Sequence, residues 1–183
     1  MERRRVCMAA VGAALLLAGC GAGVPRHYDF SLEQLQAAVA KQFPRQQQLA
    51  GVVELQLQPP QLRLLPAEQR IAADVPLQAG GPLLRRTYPG TLALDFALGY
   101  DAATHSLVAQ APRLQALRIE GAPERVGALL ERAAAPLVAQ IFDGAPLYRL
   151  RAQDVQRLDA AGLTLAGVEV QADGLRVRFA PRP

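Results

Sequence analysis

The chain has 183 residues, 51% of them hydrophobic, a formal net charge of +4 and two cysteines. That length supports one domain with a sizeable core, and two cysteines are too few for a disulfide framework. The absence of tryptophan, with only five phenylalanines and four tyrosines, leaves no aromatic platform for stacking bases, so a nucleic-acid partner is excluded although the isoelectric point is near 9.6.

The first nineteen residues, MERRRVCMAAVGAALLLAG, combine a charged start, an apolar middle from Val6 to Ala18 and a small-residue exit. This is the pattern of a secretory signal peptide. The apolar run falls short of the ~20 residues that a membrane-crossing helix needs. LAGC, Leu17 to Cys20, resembles the four-residue box of bacterial lipoprotein signals. The resemblance implies cleavage between Gly19 and Cys20 and acylation of the Cys20 thiol; an ordinary signal peptide with an incidental cysteine is the alternative. Two or three chains of the palmitate type, at ~0.8 kcal/mol per buried methylene, make a lasting membrane anchor. Gly21, rather than aspartate, after the cysteine implies sorting to the outer membrane, facing the periplasm. Cys7 leaves with the signal, and losing Arg3, Arg4 and Arg5 together with Glu2 lowers the net charge from +4 to +2. The chain therefore divides into a signal peptide (1–19), a lipidated linker (20–30) and a single domain (31–183).

The domain opens with SLEQLQAAVAKQF, where Ser31 is a good N-cap and Leu32, Leu35, Val39 and Phe43 recur at helical spacing until Pro44. From Gly51 the period changes to two: VVELQLQ, QLRLLP and RIAADVPLQA predict strands, with Pro76 at an edge or bulge. A loop through QAGGPLLRR leads to TLALDFALGYD, whose Leu92, Leu94, Phe96, Leu98 and Tyr100 share one face. The turn DAATH returns the chain through SLVAQAPRLQALRIEG, with a bulge expected near Pro112. The longest helix is expected over APERVGALLERAAAPLVAQIFDG, kinked at Pro136. A short extended PLYRL, one or two helical turns in AQDVQRLDAAG and a hairpin turning at Asp173 and Gly174 complete the chain.

The sequence offers little to catalysis. No serine lies in a Gly-x-Ser-x-Gly elbow; Ser31 reads as a cap and Ser106 as a turn residue. The only histidines, His27 and His105, are too few for zinc. Among Asp95, Asp101 and Glu120 a paired acid and base is conceivable, but Asp95 belongs to the outward face of its strand. No phosphate-cradling glycine loop precedes a helix. No enzymatic activity, cofactor or metal is expected. Arg85 and Arg86 on the glycine loop fit either lipid phosphate or plain solvation.

The lipobox at Cys20, SLEQLQAAVAKQFP, Tyr100 and Asp101 after the long strand, LLERAAAPLVAQIF interrupted by Pro136, and PLYRL before AGVEVQADGLRVRF together resemble the YceB-like lipoproteins. That resemblance implies a fold similar to the tubular lipid-binding proteins: α+β, with a long kinked helix wrapped by a strongly curved antiparallel sheet, plus an N-terminal helix. It further implies an apolar ligand held between helix and sheet. Leu129, Leu130, Leu137 and Ile141 would then face Leu94, Phe96 and Leu98. A filled core demands the same inward residues, so a non-catalytic adaptor acting on an envelope protein is the alternative. The expected partners are the membrane, through the lipid anchor, and a lipid or other hydrophobic molecule.

Overall fold

The computed structural model describes residues 27–49, 52–82, 84, 86–122 and 124–182. The signal segment, Cys20 and Arg85 lie outside the described residues. In chain order the elements are β1 (His27–Ser31), α1 (Leu32–Ala40), β2 (Arg45–Leu49), β3 (Val53–Leu57), β4 (Gln61–Leu65), β5 (Arg70–Gly80), β6 (Tyr88–Asp101), β7 (Ser106–Ile119), α2 (Glu124–Phe142), β8 (Pro146–Arg149), α3 (Ala152–Ala160), β9 (Leu163–Val170) and β10 (Gly174–Pro181). Residues 27–30, read from sequence as linker, belong to a strand.

The expected α+β class, with a curved sheet wrapped around a long kinked helix, is overturned. Among the described residues the protein is mostly β, with 54% in strands and 24% in helices, and its main sheet is a curled antiparallel half-barrel. Seven strands build it in the order β2-β3-β5-β6-β7-β8, with β4 beside β5, and a separate sheet runs β1-β10-β9. The reason is dimensional. A helix advances ~1.5 Å per residue and a strand ~3.3 Å, so the 14-residue strands β6 and β7 outreach the 19-residue α2. Strands, not a helical rod, set the length of the molecule. The α2 helix also continues unbroken through Pro136, and it packs mainly against β7.

Local chemistry explains the joints. Ser31 caps α1 reciprocally: its hydroxyl accepts from the Gln34 amide, while the Gln34 side chain accepts from the Ser31 amide. Pro76 lies inside a central strand, yet at the place where β5 changes neighbour, from β3 at Leu77–Gly80 to β4 at Arg70–Asp74. A missing amide donor is tolerated there. In β7 the register against β6 slips between Asp95 and Ala97, and Ala111, with φ of +46°, absorbs the extra residue.

The core fills the space between the large sheet and α2. Val53, Leu55 and Leu57 of β3 alternate inward with Leu77, Leu92 and Leu94 from the neighbouring strands. The helix answers with Leu130, Ala134, Val138 and Phe142, one residue every turn, all buried. On the opposite face, the outward side expected from the sequence, Asp95 is buried as well. Arg70 Nε and Gln115 Nε2 donate to its two carboxylate oxygens. The second Arg70 nitrogen donates to the Asp95 carbonyl at 3.2 Å and to the bulged Ala111 carbonyl at 2.6 Å. A buried charge is tolerated only when compensated in this way.

Candidate functional site

The residues expected to line a lipid cavity fall into two groups with almost no space between them. Leu130, Leu137 and Ile141 border a void of about 20 Å³ with Leu92 and Leu117. Leu94 and Phe96 border another, of about 30 Å³, with Phe142, Leu62 and Val39. Each exceeds the roughly 10–15 Å³ that one water needs but is far too small for an acyl chain. Leu94, Phe96 and Leu130 are buried, while Leu98, Leu137 and Ile141 are half-buried against the same cluster. The side chain of Leu129 lies outside the described residues.

A larger opening, about 310 Å³, sits between the small sheet, β8 and α3. Its floor follows from pleating. In β1 the segment HYDFS alternates, so Tyr28 and Phe30 share a face and Asp29 points to the other. Tyr28 pairs with Val177 of β10, and Phe179 of β10 pairs with Leu165 of β9, so these five side chains make one apolar surface. Leu107, Tyr148 and Leu150 form the facing wall and Leu158 of α3 the side.

Edge-to-face aromatic contacts hold the floor to that wall. The Phe30 ring lies 4.6 Å from Tyr28 and 4.9 Å from Tyr148, with interplanar angles of 63° and 65°. Across β1, Arg176 donates to both carboxylate oxygens of Asp29 at 2.8 and 2.9 Å, which pins the strand to β10. The hydrogen bond from Arg176 holds the Asp29 carboxyl below its ordinary value. Tyr28 is 45% exposed, the one large hydrophobic so open among the described residues. The rim is polar: Arg151 Nε donates to Asp154 Oδ2 at 2.9 Å, and an Arg157 nitrogen lies 3.7 Å from Oδ1. The Asp154 carboxylate, as hydrogen-bond acceptor, holds the Arg151 guanidinium above its ordinary range.

Two of the carboxylates weighed for catalysis, Asp95 and Asp101, accept hydrogen bonds from neighbouring scaffold groups. Asp101 accepts from the Ala103 amide and the Thr104 hydroxyl, and these bonds close the β6–β7 turn and lower its pKa. His105 meets the Tyr100 hydroxyl at 3.0 Å on the same exposed turn, Ser106 is fully buried, and Glu120 is exposed. Arg86 stacks over Tyr88, 5.1 Å from the ring centre. Among the described residues no three His, Cys, Asp or Glu side chains gather to hold a metal ion, and no helix is long and apolar enough to cross a membrane. Sequence reasoning missed the groove. The signal that points to it is the two-residue alternation of aromatics at Tyr28 and Phe30, hidden in a segment assigned to the linker.

The comparison with curated proteins finds no match. Among solved structures the chain is similar to a crystal structure of lipopolysaccharide binding protein, at 16% identity and a TM-score of 0.28. The alignment covers 81% of this chain and 45% of that one, so this chain spans less than half of that protein's length. The profile of DUF1439, described as protein of unknown function, matches residues 30–173. The narrower YceB-like resemblance is left as an expectation, but a match over most of the sequence places the chain itself in the DUF1439 family.

Proposed function

We propose that this chain binds a lipid or other apolar ligand in the groove between the small sheet, β8 and α3, as a lipoprotein anchored through Cys20 to the outer membrane and facing the periplasm. One observation carries the binding reading: an open, apolar-walled space of about 310 Å³ beside a helix–sheet interface whose voids are about 20 and 30 Å³. Small-molecule sites begin at roughly 300 Å³ and are apolar with a few placed polar groups. Each methylene moved from water contributes ~0.8 kcal/mol, so a ten-carbon segment supplies at most about 8 kcal/mol before ordering costs. Apolar contacts of this kind discriminate chain length weakly.

Native mass spectrometry of the purified chain tests the reading. A bound acyl species is expected in the parent and absent in Phe179→Asp. A clean mass for the bare chain, with no uptake when amphiphile is added, overturns it and selects the second reading, a non-catalytic adaptor for an envelope protein, which the filled helix–sheet interface favours. The anchor has its own test: palmitate labelling should mark the chain and disappear in Cys20→Ser.

A further inference from the structure

The groove has a chemical polarity that its apolar walls alone do not explain. Arg151, Asp154 and Arg157 lie three residues apart, from the N-cap of α3 to its last turn, and all border the opening. That spacing runs them along one flank of the helix. Two guanidinium groups thus share one carboxylate, and the rim carries a surplus positive charge beside an apolar floor. Their side chains are 63% and 76% exposed. Each carries five N–H donors in a planar fork suited to carboxylate or phosphate, and the contacts to Asp154 use only a small part of that capacity.

We propose that the ligand is a single-chain amphiphile with an anionic headgroup, its chain lying on Phe30 and Phe179 and its headgroup bound by Arg151 and Arg157. This rests on the groove reading above and names its ligand class. The floor and wall suit one chain: an opening of about 310 Å³ with Phe30 and Phe179 both on its floor offers a bed for a single acyl segment of roughly ten carbons, at a methylene size close to the ~30 Å³ of a water. Charge decides the headgroup: a cationic head would meet two arginines, and a neutral one would leave their surplus donors to water.

The test is calorimetric titration of the full purified chain with dodecyl phosphate, and separately with dodecyl maltoside, below their micelle concentrations. Dodecyl phosphate should bind about tenfold or more tightly than the maltoside, the scale of one or two charge-assisted hydrogen bonds. Arg151→Gln combined with Arg157→Gln should erase that preference, bringing dodecyl phosphate down to the affinity that the same variant shows for dodecyl maltoside. A preference that survives the double substitution overturns the headgroup assignment while the groove stands. Binding of both amphiphiles by a folded Phe179→Asp variant at parent strength overturns the groove reading instead. Inorganic phosphate that competes as well as dodecyl phosphate, or a groove closed by a second copy and seen as an amphiphile-resistant dimer in sedimentation, also overturns the proposal.

Discussion

The helix–sheet interface and the groove between the small sheet and α3 are built from the same kinds of side chain, and only one of them is open. At the interface, Leu130, Ala134, Val138 and Phe142 repeat every turn and meet strand side chains arriving from several directions, leaving voids of about 20 and 30 Å³. In the groove the aromatic floor of β1 and β10 faces a wall from which no long helix projects, and about 310 Å³ stays empty. Apolar residues in register say where burial occurs. Whether the burial is completed by the chain or by a ligand depends on what stands opposite.

This contrast can be broken from either side. The largest effect is expected at Asp95→Ala, which strands the Arg70 guanidinium in the large sheet and should cost about 3–5 kcal/mol, read as a fall in denaturation midpoint; a loss under 1 kcal/mol would show that the pair is not buried in solution. Leu130→Ala should cost about 2–5 kcal/mol through the cavity that it leaves, yet amphiphile binding should not change. If binding falls instead, the helix–sheet interface is the site after all. Gly174→Ala comes next: a methyl group there collides with the Phe30 carbonyl across β10 and β1, so about 1–3 kcal/mol and most of the groove's affinity should be lost together. Ser31→Ala removes a capping hydroxyl for about 1 kcal/mol, with hydrogen exchange faster only in the first turn of α1. The smallest signal is electrostatic. Because Arg176 lowers the folded-state pKa of Asp29, the pairing stabilises β1 above the ordinary value of 3.8 and fades as pH falls through the lower folded value. A carboxyl-carbon titration should place the midpoint below 3.8; one at or above it would release β1 from this restraint.

Local features of this fold are visible in the sequence, and distant ones are not. The cap at Ser31, the long alternating strands on either side of the DAATH turn, and the hairpin at Asp173 and Gly174 each depend on neighbours a few residues away. Arg70 and Asp95 are 25 residues apart, and no pattern in either strand announces that the two will neutralise each other. Pro76 reads as an edge signal, although the strand is central, because the local gap between β3 and β4 has no signature. The helix stripe was legible as apolar, but its balance against the strands was not: reach per residue, rather than number of residues, decides which element frames the molecule. The groove was illegible because its floor joins the two ends of the domain.

That junction sets an order of assembly. Asp29 and Arg176 meet across 147 positions, whereas β5, β6 and β7 pair with strands adjacent in the chain. Hairpin contacts close quickly and distant ones slowly, so pulsed exchange during refolding should protect β6 and β7 before β1 and β10. The meander can pair early from neighbouring strands, and the floor of the groove is complete only once β10 has met β1.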